Sequence, residues 1–225
     1  MNTFNRYASL SQLLKEAPFT FTMLVINVTV FIAGMILNLF DISLLDLGFL
    51  HRILVFNYGE YYRIVTSAFL HANFIHLAFN MIIGLYLLTA GLERIIGSKK
   101  TAAIYTFSLL FSAGFVMLWN EIMGNMGGTV GASGAIFGAL GSLLYISIYR
   151  HDLMHQGERQ WIWQLIIINM IFTLFVGNIS IPGHLGGLAA GYLISYLFIS
   201  KTPPQIIYNT KEYDAYQDDD YDWYN

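Results

Sequence analysis

Residues 127–138 read GGTVGASGAIFG, and this stretch decides how the rest of the chain is interpreted. It holds five glycines and one serine, Ser133, between long apolar runs on both sides. Glycine is disfavoured in a helix in water by about 1 kcal/mol relative to alanine. Two explanations suit such a cluster: close packing between helices, or a nucleophile on a tight backbone turn.

The composition predicts an integral membrane protein. Of 225 residues, 56% are hydrophobic and 11% are charged, and the mean hydropathy is +0.56. A soluble domain carries about 25% charged residues. The chain has no cysteine, which excludes disulfides, thiol catalysis and cysteine-based metal sites. A net charge of -3 gives no indication of nucleic acid as a partner.

Six apolar segments have about the 17–25 residues that a bilayer span requires. They run at 19–40, 73–93, 101–122, 130–150, 161–178 and 183–200. The connection at 41–72 mixes apolar, aromatic and polar residues, and we expect it to lie at the membrane interface with short helices of its own. The prediction is an all-α polytopic membrane protein, a six-helix bundle with a long interfacial loop between helices 1 and 2.

Three regions follow from this pattern. Residues 1–18 are expected to form a cytoplasmic amphipathic lead-in, because they lack the apolar region and cleavage site of a signal peptide. Residues 19–200 form the six-helix core. Residues 201–225 form an acidic, tyrosine-rich tail that we expect to be disordered.

The lysines and arginines predict the orientation. With a cytoplasmic amino terminus, nine of the eleven fall inside and only Arg52 and Arg63 fall outside. The positive-inside rule therefore favours cytoplasmic amino and carboxyl termini. We expect the plasma membrane of a bacterium as the location.

In this topology the second, fourth and sixth segments all start on the outer side. His76, Asn80, Ser133 and His184 lie near those starts and so reach a similar depth. A single polar residue in a membrane helix is more often a packing contact than a chemical group. Four of them at one depth beside a glycine-rich turn favour a shared site, because polar groups in a bilayer usually face a bundle interior or a watery cavity.

A serine and a histidine at one depth are typical of nucleophilic catalysis. Serine is a weak nucleophile until a base within hydrogen-bond reach takes its proton, and neutral histidine suits that role near pH 7. His76 and Asn80 lie four residues apart on one helix face and could both point at an oxyanion. The Ser133 N–H, at a helix start, could add a third donor. Phe137, one turn after Ser133, could stack on the His184 ring.

The fourth and sixth segments contain no acidic residue, so a Ser–His dyad is favoured over a triad. Glycine stripes supply a way to bring the pair together, because small residues let membrane helices approach closely. The stripes are Gly134, Gly138 and Gly141 on the fourth segment, and Gly183, Gly187 and Gly191 on the sixth.

Together, GASG around Ser133, HLGGLAAG from His184 and HANFIHLAFNM from His71 resemble the rhomboid intramembrane serine proteases. The resemblance covers about residues 19–200. It implies Ser133 as the nucleophile, His184 as the general base, and His76, Asn80 and the Ser133 amide around the oxyanion. It also implies that Gly131 shapes the turn before the serine. Phe137 stands where many members have tyrosine, which keeps the ring and loses the hydroxyl.

The resemblance implies further structural elements and a substrate class. Glu93 and Gly97 look like part of the family's GxxxExxxG element, with Thr89 in place of its first glycine. Arg63 resembles an arginine of the long first loop. The implied activity is hydrolysis of a peptide bond in or near the transmembrane segment of single-span membrane proteins, with no metal or cofactor. The lipid bilayer and those substrates are the expected partners.

Two other classes of function remain as alternatives. One is a catalytically silent rhomboid-like protein that binds membrane clients, although such proteins typically lack the serine or the histidine. The other is a small transporter, for which inverted repeats, broken helices and intramembrane carboxylates would be expected. No convincing repeat is found in the predicted spans, and their two carboxylates, Glu93 and Glu121, lie at the ends of their spans rather than near the middle.

Overall fold

The structure is a computed structural model that describes residue 4 and residues 9–177 and 179–199. The predicted tail at 201–225 lies outside the described residues, as does most of the lead-in before Ser9. The described part of the chain is built from helices, with one isolated antiparallel bridge between Leu50 and Thr129.

Eleven α-helices make up the described chain. In order they are α1 Leu10–Glu16, α2 Pro18–Asn38, α3 Leu44–Gly48, α4 Arg52–Phe56, α5 Arg63–Thr66, α6 Phe74–Phe79, α7 Ala90–Ile96, α8 Ser98–Met123, α9 Ser133–Tyr149, α10 Gln156–Phe175 and α11 Ile181–Phe198. A π-helical segment, Asn80–Thr89, joins α6 to α7 as one continuous helix. Short 3₁₀ turns occur at Ser67–Phe69 and His151–Leu153.

Three of the six predicted spans are helices long and apolar enough to cross a membrane, and they are Pro18–Asn38, Phe74–Ile96 and Ser98–Met123. The number six stays a prediction for the other three segments. Among these, α9 is apolar but has 17 residues, α10 begins with a charged turn, and α11 carries glycines and His184.

The fifth predicted span needs a correction at both ends. Its helix, α10, runs from Gln156 to Phe175 rather than from 161 to 178. The early start has a local cause, because His155 and Glu158 form a capping box in which Glu158 accepts from the His155 N–H at 2.9 Å. The hydrophobic pattern alone could not register this cap.

Helix α9 lies at the centre of the molecule. Its side chains Leu140, Leu143, Tyr145 and Ile146 are almost completely buried. By contrast, only 11% of the apolar window of α2 is buried within the protein. An apolar helix with so little buried surface suits contact with lipid, so α2 lies at the edge of the bundle.

A buried carboxylate anchors the start of α2. The Glu93 side chain on α7 accepts from the backbone N–H of Phe19 and of Thr20 at 2.9 and 2.8 Å, and from the Thr20 hydroxyl at 2.7 Å. The first amides of a helix have no partner inside the helix, and a negative charge there is favourable. Glu93 therefore caps α2 from another helix, which gives the predicted structural element a physical role.

The predicted glycine stripes are present at helix contacts, but they serve two interfaces. A Cβ on Gly141 would lie 2.9 Å from the Tyr192 backbone nitrogen, and one on Gly191 would lie 2.6 Å from the Gly138 Cα. These positions bring α9 and α11 together. Gly134 and Gly138 instead direct their missing side chains at Ser112 and Ser108 of α8. Both glycines nevertheless also lie against α11, because a Cβ on Gly187 or on Gly191 would reach the backbone of Gly134 or of Gly138. The predicted close approach of α11 to all three glycines of α9 is therefore present, and α8 packs against two of them as well.

The long first loop is tied to the loop that precedes Ser133. Leu50 and Thr129 exchange backbone hydrogen bonds of 2.9 and 3.0 Å. Arg63, which is buried, donates to the carbonyl oxygens of Asp46 and Phe49 at 3.0 and 3.1 Å. Arg63 thus fixes the fold of the loop, in agreement with the structural role that the sequence predicts.

Candidate active site

The turn before Ser133 depends on Gly131. Its φ of +122° lies in the region that side chains rarely adopt, and its amide donates to the Ser67 carbonyl at 2.8 Å. Helix α9 then begins at Ser133. Among the described residues, the Ser133 amide donates to no acceptor, as expected at the first position of a helix. The turn therefore presents the serine together with a free N–H group.

His76 and Asn80 both reach this turn. A Cβ on Gly131 would lie 2.8 Å from the His76 Nε2 atom and 3.9 Å from the Asn80 Nδ2 atom. Asn73 caps the helix by accepting from the His76 N–H at 2.9 Å, which fixes where this helix begins. Asn80 donates one amide hydrogen to the His76 carbonyl at 2.9 Å, which leaves its second amide hydrogen available for another acceptor. Both side chains therefore lie beside the turn before Ser133, and their role as oxyanion donors stays a prediction.

Helix α11 brings His184 to the same end of α9. The Phe137 and His184 rings stack with their centroids 3.9 Å apart and an interplanar angle of 15°. The backbone beside His184 also lies close to the helix that begins at Ser133, because a Cβ on Gly134 would lie 3.7 Å from the Gly183 oxygen. The predicted stack is thus present, and it places the His184 ring beside Phe137, one turn of α9 after Ser133.

The Ser133 hydroxyl itself makes no hydrogen bond with any described residue, so the structure does not join it directly to His184. Catalytic hydrogen bonds are often long or poorly aligned before substrate binds. The dyad bond therefore stays a prediction, although the two residues lie on facing helices that approach closely.

The other side of the His184 ring has a partner that the sequence did not indicate. The hydroxyl of Thr173, on α10, lies 2.8 Å from His184 Nδ1, and Thr173 is buried. The two residues belong to different helices, so no periodicity or motif could have paired them. Ser112 was also missed: its hydroxyl donates to the Gly183 carbonyl at 2.8 Å and ties α8 to the residue before His184.

Comparison with known proteins decides the family. The sequence profile described as "Rhomboid domain" matches residues 58–201, well over half of the chain. The chain belongs to the rhomboid family. This membership and the apolar helices make it an integral membrane protein, and it agrees with the resemblance carried by the motifs around Ser133, His184 and His76.

Named relatives of this rhomboid support a serine protease at the level of the family. The chain is 33% identical over 152 residues to "Putative rhomboid protease YdcA" of Bacillus subtilis, covering 64% of this chain and 70% of that protein. It is 36% identical over 134 residues to "Rhomboid protease GluP" of the same species, and 32% identical over 162 residues to "Rhomboid protease AarA" of Providencia stuartii. These two matches cover 60% and 63% of this chain, but only 25% and 57% of the relatives.

This rhomboid has a small cavity beside Ser133. Its volume is about 30 Å³, and Ser133, Gly131, Ser112, Ser180 and Ser67 are among the residues that line it. A water molecule needs about 10–15 Å³ on this scale, so the cavity has room for about two. Among the described residues, no group of three or more histidine, aspartate or glutamate side chains is placed to share a metal ion.

His71 lies behind His76 and not in the turn. The two rings meet edge to face with centroids 5.1 Å apart, and His71 is buried. His71 precedes the membrane-spanning helix, and burial, followed by the neighbouring His76, lowers its pKa to about 4. It is therefore neutral at pH 7.

Proposed function

We propose that this rhomboid is an intramembrane serine endopeptidase that uses Ser133 as nucleophile and His184 as general base. The observation that carries the proposal is the stack of Phe137 on His184 beside a glycine turn that presents Ser133. A packing role alone would not require His76 and Asn80 to converge on the same turn.

The reaction follows from the properties of the groups. The Ser133 oxygen attacks the scissile carbonyl carbon while its proton passes to His184 Nε2. The C–N bond then breaks, and the same proton passes from Nε2 to the leaving amine. Water attacks the resulting acyl-enzyme and gives a proton to His184, which returns it to the departing Ser133 oxygen.

The oxyanion of each tetrahedral intermediate needs donors that are already in place. His76, Asn80 and the Ser133 N–H supply three around the Gly131 turn. One such donor is worth about 10²–10³ in turnover. In this role the donors act on the transition state more than on substrate binding.

The proposed substrates are single-span membrane proteins. A helix keeps its carbonyl groups in internal hydrogen bonds, so the scissile segment must become extended before attack. We place the active site towards the outer side of the membrane, with both termini cytoplasmic, on the basis of the nine-to-two distribution of positive residues. The cavity beside Ser133 supports access of water at this depth.

The test is cleavage of a single-span peptide, with a fluorophore and a quencher on either side of its helix, by the protein in liposomes. Wild type should cut it, and Ser133→Ala and His184→Ala should not. Ser147→Ala is the matched control, because this buried serine lies on the same helix and its hydroxyl bonds within its own turn, to the Leu144 carbonyl. Cleavage by Ser133→Ala at the wild-type rate would overturn the proposal.

A further inference from the structure

Thr173 contacts His184, the proposed general base, at the ring nitrogen that does not take the Ser133 proton. Its Oγ1 atom lies 2.8 Å from His184 Nδ1, and only 1% of the Thr173 surface is exposed. The contact crosses from α10 to α11. No carboxylate among the described residues bonds to the His184 ring, so this hydroxyl is the polar group that Nδ1 meets.

The direction of the hydrogen bond follows from the second contact of the same hydroxyl. Thr173 Oγ1 also lies 2.7 Å from the Asn169 carbonyl oxygen, one turn earlier on α10. A carbonyl oxygen can only accept, and threonine has one hydroxyl hydrogen. That hydrogen goes to Asn169, so the hydroxyl oxygen must accept from His184. The neutral imidazole therefore carries its hydrogen on Nδ1, and Nε2 keeps a free lone pair.

We propose that Thr173 is a positioning residue that holds His184 in the Nδ1–H tautomer, so that Nε2 is the nitrogen that takes the Ser133 proton. This inference rests on the proposed Ser133–His184 dyad. It assigns to a neutral hydroxyl the orienting task that a buried carboxylate has in Ser–His–Asp enzymes. Thr173 touches neither the substrate nor the reacting atoms.

The arrangement suits both protonation states of the base. When His184 is protonated, both ring nitrogens carry hydrogen, and Nδ1 still donates to Thr173. The ring therefore keeps its orientation while the proton travels from Ser133 to the leaving amine. Donation to the Asn169 carbonyl polarises the hydroxyl and makes its oxygen a better acceptor. Phe137 restrains the face of the ring, and Thr173 restrains its edge.

The first test measures the tautomer of His184 directly by NMR. The protein is labelled with ¹⁵N-histidine and placed in liposomes at pH 7.5, and the His184 signal is assigned by its loss in His184→Asn. We expect wild type to have a protonated Nδ1 and an unprotonated Nε2. In Thr173→Val, which keeps the shape and removes the hydroxyl, the signal should become a mixture of tautomers. A wild-type spectrum dominated by the Nε2–H form would overturn the inference.

Kinetics on the single-span peptide give the second readout. Thr173→Val should lower kcat about three- to tenfold, the effect of one neutral hydrogen bond, with KM unchanged. Thr173→Ser, which restores the hydroxyl, should recover at least half of the wild-type kcat. Thr101→Val is the matched control and should stay within about twofold, because Thr101 is also buried and bonds the carbonyl one turn earlier, eleven residues before Ser112 on α8.

The results distinguish a failure of the role given to Thr173 from a failure of the proposed Ser133–His184 dyad. If wild type cleaves the peptide but Thr173→Val keeps the full kcat, Thr173 has no positioning role and the dyad stands. If wild type has the Nδ1–H tautomer but Ser133→Ala cleaves as wild type does, the dyad is wrong and the positioning role falls with it.

Discussion

At the scale of single residues, Gly131 carries the strictest requirement in the site. Its φ of +122° is a conformation that side chains rarely adopt, and the space beside its Cα is filled by the His76 ring. Two independent constraints therefore demand glycine. The sequence could suggest the turn from the cluster of glycines, but only the geometry separates Gly131 from its neighbours.

Replacing Gly131 with alanine should lower turnover sharply. The strain of the turn, of the order of 1–3 kcal/mol, and the contact with His76 would displace Ser133, and we expect kcat to fall at least about tenfold. Cleavage of the single-span peptide measures this. Gly157→Ala is the control, since nothing lies within 4 Å of the position that its Cβ would take. Equal losses in the two variants would contradict the role given to the turn.

His71 should make the fold sensitive to acid. Burial and the nearby His76 lower its pKa to about 4, whereas an unfolded histidine has a pKa near 6.5. As the pH falls below 6.5, the unfolded chain takes up a proton that the folded protein does not, so stability is lost. The loss from this one group is about 2 kcal/mol between pH 8 and pH 5.

The measurement is denaturant unfolding in detergent at several pH values for wild type and His71→Leu. The leucine variant should lose less stability between pH 8 and pH 5, because the titrating group is gone. The other histidines titrate in both proteins and cancel in the comparison. Identical pH dependence in the two proteins would show that His71 does not hold its neutral form in the fold.

At the scale of helices, contact between α9 and α11 is what brings the proposed dyad together. The backbones meet at Gly187 and Gly191, where an added Cβ would reach the backbone of Gly134 and Gly138. The sequence predicted this contact from glycine spacing, which reports that a helix can approach another. It could not report that Gly134 and Gly138 also accommodate α8, whose Ser112 and Ser108 fill the space beside their Cα atoms.

Gly191→Ala should separate these helices. The new methyl group would lie 2.6 Å from the Gly138 Cα, and backbone cannot rotate away as a side chain can. Overpacking of this kind costs about 1–3 kcal/mol. Thermal unfolding in detergent should show a lower Tm than wild type. Gly114→Ala on α8, where the space is open, should leave the Tm unchanged or raise it; a similar fall there would contradict the account.

Contacts between helices also explain what the sequence left out. Thr173 and Ser112 lie on helices that do not carry the proposed dyad, and each bonds to a partner on another helix. Local patterns record periodicity and caps within a segment, and they hold no information on such pairs. The cap at His155, by contrast, was local and moved the start of α10 by five residues.

At the scale of the whole molecule, composition was enough to predict a helical membrane protein. The three longest apolar helices agree with the first three predicted spans to within three residues at each end. The Ser133 helix, Ser133–Tyr149, is also apolar, but its 17 residues make it shorter than those three.

The predicted orientation can be tested because the chain has no cysteine. Single cysteines at Tyr58, in the first loop, and at Gly157, at the start of α10, would both be exposed. In right-side-out membrane vesicles, an impermeant maleimide should label Tyr58→Cys and should label Gly157→Cys only after lysis. The opposite pattern would place the termini outside and contradict the positive-inside assignment.

The central claim is that Ser133 is a nucleophile activated by His184. A fluorophosphonate probe reacts with an activated serine, so the protein in liposomes should form a covalent adduct that peptide mass spectrometry locates on Ser133. The adduct should be absent in Ser133→Ala and strongly reduced in His184→Ala, with Ser147→Ala labelled as wild type. Labelling that persists in Ser133→Ala, or an adduct located on another serine, would contradict the account.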